Sequence, residues 1–430
     1  MEDPTVLDQM RADWNERASE DAYYYVAFGR REQDDEEFFA TGGDIVKGLE
    51  LELKRFSGRD AALEIGCGPG RLMRPMSRHF NEIHGVDVSD QMIRLAEERL
   101  RDTPNAHPHH SSGSDLALFP DEKFDFVYSY AVFQHIPSRE VVFNYLREAR
   151  RVLKTEGVLR CQMNGLPPHA KQYDTWSGVR ITEDEIRQFS RDQDMQLLVV
   201  EQIWTQYMWI TCRKRPAGWT ASLAGRRVPR ASVIRRISNA LTGEAVAPVR
   251  GPLAALSLWV EGLPDEIDLN HMTITIDGRA GRPTYIGETE KNAIAQVNVA
   301  LPEGLRTGMV PVEILWLGQL VAEPAWVRIM PAGPSVPRVT TVTDGINLLS
   351  GTRIVTGSVK VTMHEVSDAS HFRATIEGKD ALEIESFCAD PISQRYEFNF
   401  KLPENISKGP HQVLVSLGKR KFAPLEIEVA

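Results

Sequence analysis

From residue 61 onward the chain alternates two kinds of apolar pattern. Short apolar runs at 61–65, 83–88, 106–110, 124–130 and 156–163 read as strands. Between them, apolar positions recur every three or four residues at 70–79, 90–101, 139–153 and 182–193, which predicts helices. Pro137, Ser138 and Glu140 suit the start of the third of these helices, and Glu156-Gly157 its end. Two further strands are expected around Met195–Ile203 and Tyr207–Arg213, as a terminal hairpin. Strand and helix in alternation argue for a doubly wound α/β fold, a parallel sheet covered on both faces. Residues 1–60 precede it with charged, aromatic-rich sequence and predicted helices, the second around Asp44–Phe56.

The pattern breaks at 216–252, where Pro216, Pro229, Pro248 and Pro252 interrupt it. Arg226, Arg227, Arg230, Arg235, Arg236 and Arg250 face one acid, Glu244, and Ser232–Leu241 suits a short amphipathic helix. This stretch is expected as a basic linker. It either docks on two acidic domains or grips a membrane surface or an acidic substrate. From about 253 the period becomes two, as in Met272–Ile276 and Val359–Met363. An internal repeat is visible: ITIDG at 274–278 matches ATIEG at 374–378, and 297–318 matches 398–418. The expected domains are therefore 1–215, the linker 216–252, and β repeats at 253–332 and 333–430, joined by Pro331–Pro337.

The chemistry concentrates at Ala61–Arg71, AALEIGCGPGR. An apolar strand runs into Gly66, Gly68 and Gly70, and a helical pattern follows. Glycine lets the backbone turn tightly and approach a ligand, and the following helix aims free N–H groups at the turn. A dinucleotide fingerprint needs a third glycine where Arg71 stands, and a phosphate-binding loop needs Gly-Lys-Ser/Thr. What stands is E-x-G-x-G-x-G, from Glu64 to Gly70. Asp87 ends the next strand about twenty residues on, where an acidic residue grips a ribose. Ser89 suits a helix cap there.

With Ser114-Asp115-Leu116 and Phe124–Tyr130, these elements resemble, in order, the motifs of class I S-adenosylmethionine-dependent methyltransferases, over roughly the first half of the chain. The resemblance implies a Rossmann-like sheet with S-adenosyl-L-methionine as cofactor. It implies cofactor contacts from Glu64, Gly66, Cys67, Gly68, Gly70, Asp87, Val88, Met92, Ser114, Asp115, Leu116 and Tyr130, with Ser129–Ala131 flanking the methionine end. His135, in the loop after the fourth strand, is the candidate catalytic base; a structural or cofactor-positioning role is the other reading. The resemblance also implies that the leading segment folds over the cofactor. Its aromatics (Trp14, Tyr23, Tyr24, Tyr25, Phe28, Phe38, Phe39) then either cover the sulfonium or anchor the segment to the core. Leu166–Val179, with Tyr173 and Trp176, stands where the family inserts acceptor-binding sequence, and is a lid or a packed loop. The repeats weakly resemble bacterial immunoglobulin-like modules of the IPT/TIG kind, all-β sandwiches without the Cys…Trp…Cys pattern.

Composition narrows the function classes. The 430 residues imply two or three domains, and the net charge of −10 argues against nucleic acid as a partner. No signal peptide is expected from the acidic, polar N-terminal stretch, and no apolar run approaches the ~20 residues of a membrane span. Cys67, Cys161, Cys212 and Cys388 are scattered, which suits reduced thiols in a cytoplasm. His107, His109 and His110 lie in an expected strand without ligand partners, so no metal site is expected. The leading expectation is methyl transfer to an O or N atom of a small-molecule, sugar or lipid-linked glycan acceptor. The β repeats would mediate homo-oligomer or protein-partner contacts. Two alternatives are a non-catalytic scaffold that binds S-adenosylmethionine or its product, and a protein or nucleic-acid methyltransferase using the basic linker.

Overall fold

The computed structural model describes residues 4–27, 33–168, 173–251, 253–288, 293–333, 336–346, 351–390 and 394–430. Phe28, residues 169–172 of the aromatic loop, Pro252 and residues 334–335 lie outside the described residues. The chain divides into two compact units, Met1–Ser19 with Phe39–Ala332, and Glu20–Phe38 with Gly333–Ala430.

In the first unit, seven strands make the expected α/β sheet: β1 (Ala61–Ile65), β2 (Glu82–Asp87), β3 (Ala106–His110), β4 (Phe124–Ser129), β5 (Leu153–Met163), β6 (Met195–Glu201) and β7 (Met208–Lys214). Their order is β3-β2-β1-β4-β5-β7-β6. β1 to β5 are parallel, and β7 runs antiparallel to both β5 and β6. Every residue of β1 and β4 is buried, as central strands covered on both faces must be. The strand order reverses between β1 and β4, which places a crevice beyond their carboxyl ends.

The helices are α1 (Pro4–Ala27), α2 (Asp35–Leu49), α3 (Met73–Met76), α4 (Asp90–Arg99), α5 (Arg139–Val152), α6 (Glu183–Asp192) and α7 (Trp219–Ser222). Ser89, Ser138 and Thr182 cap α4, α5 and α6, each accepting a backbone N–H of its own helix's first turn. Two helices differ from expectation. The helix expected over 70–79 is regular only in α3, flanked by turns at 68–72 and 77–79; Pro75 has no N–H to give the Arg71 carbonyl, so the helical bonding starts late. The helix expected over Asp44–Phe56 starts earlier, as α2, and is followed by a short 3-10 turn at Glu52–Arg55.

The C-terminal region is all-β, in several sheets. The first copy comprises β8 (Val233–Asn239), β9 (Val246–Pro248), β10 (Ala255–Glu261), β11 (Met272–Ile276), β12 (Arg279–Ile286), β13 (Ile294–Ala300), β14 (Gly308–Trp316), β15 (Gln319–Leu320) and β16 (Ala325–Met330). The second comprises β17 (Arg338–Asp344), β18 (Arg353–Ile354), β19 (Ser358–His364), β20 (Phe372–Ile376), β21 (Lys379–Asp380), β22 (Leu382–Asp390), β23 (Arg395–Lys401), β24 (Gly409–Leu417), β25 (Arg420–Lys421) and β26 (Leu425–Val429). The repeated ITIDG and ATIEG make the same hairpin twice. Asp277-Gly278 and Glu377-Gly378 both take positive φ, as a two-residue turn matched to strand twist requires.

The expected amphipathic helix over Ser232–Leu241 is instead strand β8, antiparallel to β10. Its alternation VIRRISN satisfies a strand as well as a helix, and pairing with β10 decides. The residues expected as a basic linker thus supply β8 and β9, and three of their six arginines are paired with carboxylates: Arg230 with Glu323 at 2.7 Å, Arg226 with Glu266, Arg235 with Glu261.

The first β copy shares a core with the α/β sheet. One apolar cluster runs from Met10, Leu63 and Val127 through Leu197 and Val199 to Leu258, Val297 and Ile329. β12 adds antiparallel to β6, with Tyr285 opposite Val199. The opposite face of the α/β sheet packs Ala62, Phe126 and Tyr128 against Met73, Met76 and Ile93. The second copy has its own core, with Phe398 and Phe400 from one sheet against Phe372, Val413 and Ile427 from the other.

Candidate active site

The glycine turn after β1 is left-handed at all three glycines, with φ of +74° at Gly66, +50° at Gly68 and +85° at Gly70. A Cβ on Gly66 would lie 2.3 Å from Val132 Cγ2, so only glycine fits both the backbone and the space. The N–H groups of Gly66 and Cys67 donate to the Val86 carbonyl at 2.8 and 3.0 Å. The Gly68 N–H donates to Asp87 Oδ2 at 2.9 Å, and the Ser89 N–H to Asp87 Oδ1 at 2.9 Å. One carboxylate thus ties the β1 turn to the β2 turn. Burial raises its pKa, and the backbone N–H groups oppose that rise.

Glu64 is buried within β1 and accepts the Tyr128 hydroxyl at 2.9 Å. Burial pushes its pKa up to about 8, against the lowering effects of Tyr128 and Arg71. A carboxyl group held protonated in a cleft marks a functional-site candidate. Arg71, also buried, lies across the Tyr130 ring at 5.6 Å, and burial lowers its pKa. Cys67 is buried, its thiol raised well above the ordinary value by burial, and it packs beneath Gly85.

The remaining expected cofactor residues fall on the neighbouring turns. Val88 packs on Gly113, and Met92 is buried at the start of α4. The Ser114 carbonyl accepts from Asn144 Nδ2 at 2.9 Å, Asp115 accepts the Ala117 N–H at 3.1 Å, and Leu116 is fully buried. These contacts tie the 114–116 loop to α5 and to itself, while Gly113 carries it against Val88.

His135 stands apart from the glycine turn's polar groups, joined to it through Val132. Its own N–H donates to the Val132 carbonyl at 2.8 Å. Its Nδ1 lies 3.2 Å from the Trp176 carbonyl oxygen, so Nδ1 carries the proton and Nε2 the lone pair. Its ring meets Trp14 edge-on at 5.6 Å. Burial, then the nearby Arg17, lowers its pKa to about 4.

The first helix covers this face. Asn15 accepts the Ser89 hydroxyl at 2.6 Å and donates to Asp90 at 2.7 Å. Arg17 donates to the Thr175 hydroxyl at 3.0 Å and lies 4.7 Å from the Trp14 ring centre and 5.5 Å from that of Trp176. Asp13 accepts the Thr175 hydroxyl. Residues 10–17 and the 173–177 loop are therefore fastened together over the strand ends. Tyr23, by contrast, stacks on Phe38 at 4.0 Å and donates to Asp35 at 2.6 Å, in the second unit.

Sequence reasoning gave no role to Asn15, Arg17, Arg71 and Ser111, and placed Gln134 only within the loop at the site edge. Arg71 was within reach, as the residue that ends the glycine motif. Ser111 Oγ and Gln134 Oε1 are buried without hydrogen-bond partners, beside Asp87 and His135 respectively. Such atoms need an unseen partner. Ala131 takes φ +56° next to Tyr130, a strained position at the site edge. Among the described residues no group of three or more His, Cys, Asp or Glu could hold a metal ion. The three buried cysteines and the half-buried Cys388 are all free.

A family model described as a methyltransferase domain matches residues 63–161. Phosphoethanolamine N-methyltransferase 2 of Caenorhabditis elegans is 32% identical over 132 residues, 30% of this chain and 29% of that protein. Trans-aconitate 2-methyltransferase of Agrobacterium fabrum is 34% identical over 121 residues, 27% of this chain and 44% of that protein. The chain thus spans less than half the length of these relatives. Among solved structures, an S-adenosylmethionine-dependent methyltransferase of Methanosarcina mazei aligns at 21% identity and a TM-score of 0.32, covering 38% of this chain and 97% of its own. Phosphoethanolamine N-methyltransferase 1 of Haemonchus contortus, solved with phosphoethanolamine and S-adenosylhomocysteine, aligns at 13% identity and a TM-score of 0.38, over 53% and 51% of the two chains. Over residues 63–161, the stretch that carries the glycine turn, Asp87 and His135, the chain is similar to the methyltransferase domain family.

Proposed function

We propose that this chain transfers the methyl group of S-adenosylmethionine to an O or N atom of a small-molecule, sugar or lipid-linked glycan acceptor. The observation that carries the reading is the joining of the glycine turn to Asp87 beneath a fastened helical cover. The residues present fit the cofactor. Asp87 already accepts two N–H groups, but a carboxylate has about four lone-pair sites, which leaves capacity for both ribose hydroxyls. The orphaned Ser111 hydroxyl adds a polar group there. Glu64 suits the ammonium and Arg71 the carboxylate of the methionine end. Val88, Met92, Leu116 and Asp115 suit the adenine.

When bound, the cofactor supplies an activated methyl sulfonium. The protein's part is to align the acceptor and to keep water out. Trp14, Trp176 and residues 10–17 do the latter. The neutral His135 keeps its lone pair on Nε2, where the Gln134 side-chain amide approaches at 3.5 Å, so an acceptor hydroxyl or ammonium would have to displace that amide to hand His135 a proton. The matched relatives named above carry acceptors of low molecular mass in their names, which supports the small-molecule reading.

The test uses methyl-labelled S-adenosylmethionine with the full chain and an extract of the source cell, fractionated into small molecules, lipids, glycans, nucleic acid and protein. Label is expected in one of the first three fractions and lost in Asp87→Ala. Cofactor binding without label in any fraction would favour the scaffold alternative.

A further inference from the structure

The two β copies pair their strands in the same way. β8 lies on β10 as β17 lies on β19, and β10 on β13 as β19 on β23. β9 runs parallel to β16 as β18 does to β26. β12 pairs β13 as β22 pairs β23, with a register irregularity at the same place, between Pro283 and Tyr285 and between Leu382 and Glu385. Tyr285 opposite Asn298 corresponds to Glu385 opposite Asn399.

One pairing has no counterpart. In the first copy β6 meets the outer edge of β12 at Tyr285, which pairs with Val199. In the second, among the described residues, β22 pairs β23 alone and ends its sheet. Six of its nine residues are exposed, and Leu382, Ile384 and Phe387 are 42%, 38% and 48% exposed. The sheet's other edge, β17, exposes Arg338, Thr340 and Thr341 instead. An open edge with apolar side chains and neither lysine nor proline is a template for another strand. Edge strand β3, which ends the α/β sheet, carries Pro108.

We propose that β22 is a self-association edge: two copies of this chain pair their β22 strands antiparallel about a two-fold axis, continuing one sheet through both. The strand's own sequence favours a second copy. β22 is regular over Glu385–Cys388, between its two register irregularities; centred on Ser386, the pairing sets Glu385 opposite Phe387 there and brings Cys388 toward Ile384. No glutamate faces a glutamate, as would happen in registers centred on Ile384 or Glu385. Glu383 is already neutralised by Lys401 at 2.6 Å. A two-fold contact of this kind closes on itself.

The test is sedimentation equilibrium of the full chain at high micromolar concentration. The wild type is expected to be dimeric. Ile384→Lys combined with Phe387→Lys is expected to be monomeric, with unchanged circular dichroism and melting temperature. In a Cys388→Ser background, Ser386→Cys is expected to give a disulfide-linked dimer on mild oxidation, whereas Cys388→Ser alone does not. A monomeric wild type overturns the proposal, whatever other protein it captures. A dimer that survives the paired lysine substitutions overturns it as well.

Discussion

Glu64 shows how one residue's surroundings set its chemistry. It lies in a strand buried at every position, with a single hydroxyl donor, and burial outweighs the stabilisation of its charge, so its pKa rises to about 8. The unfolded chain releases this proton near the ordinary value of 4.5, and the folded chain only near 8. The group's contribution to stability is therefore present below 4.5 and is lost as pH rises through 8. Glu64→Gln keeps an acceptor for Tyr128 without the charge. Its melting temperature is expected to exceed that of the wild type increasingly between pH 5 and 8, by a few degrees at the upper end. Parallel melting curves across that range would remove the raised pKa from the account. An ammonium brought beside Glu64 favours its charged form, so cofactor binding is expected to release a proton.

At the scale of elements, α1 shows a helix held by side chains at its flanks. Asn15 bonds to the cap of α4, and Arg17 bonds to Thr175 between two indole rings. Neither residue belongs to a motif. Asn15→Ala removes an acceptor from Ser89 and a donor to Asp90. It is expected to lower stability by roughly 1–2 kcal/mol. Hydrogen exchange should rise in residues 10–17, and cofactor affinity should weaken several-fold. Titration calorimetry with S-adenosylhomocysteine measures the last effect. Unchanged affinity with faster exchange would make the cover a matter of stability alone. Strand β8 teaches the same lesson in reverse. Its pattern suits either period, and the neighbour β10 selects the strand.

At the scale of the whole first unit, the α/β sheet and the first β copy are welded by buried charge as well as by β12. Arg213 bonds Glu288 at 2.7 Å and Asp265 at 3.1 Å, and Arg215 bonds Asp265 at 2.7 Å. Arg55 donates to the Ile286 carbonyl at 2.8 Å, and Gln196 to the carbonyls of Asp265 and Ile267 at 2.7 and 2.8 Å. Removing one side leaves the Arg213 and Arg215 guanidinium groups with fewer partners. A chain cut after Arg215 is thus expected to be aggregation-prone or quickly digested by trypsin, with the edge of β6 and half of a shared core exposed. A truncated chain that is soluble and melts cooperatively would show that the weld is dispensable.

Much of this protein was legible in its sequence because the signals are local. Apolar period, capping serines, the three glycines and Asp87 each act within a few residues, and the parallel sheet follows from their alternation. The repeat was legible for the same reason, since a two-residue turn with positive φ at both positions favours glycine at the second wherever it occurs. Tertiary structure alone decided the rest. The period of 233–239 is ambiguous until β10 lies beside it. Arg226, Arg230 and Arg235 look like part of a free basic block until Glu266, Glu323 and Glu261 are folded against them. The neutral state of Glu64 and His135 depends on burial, and burial is a property of the packed chain rather than of any stretch of it.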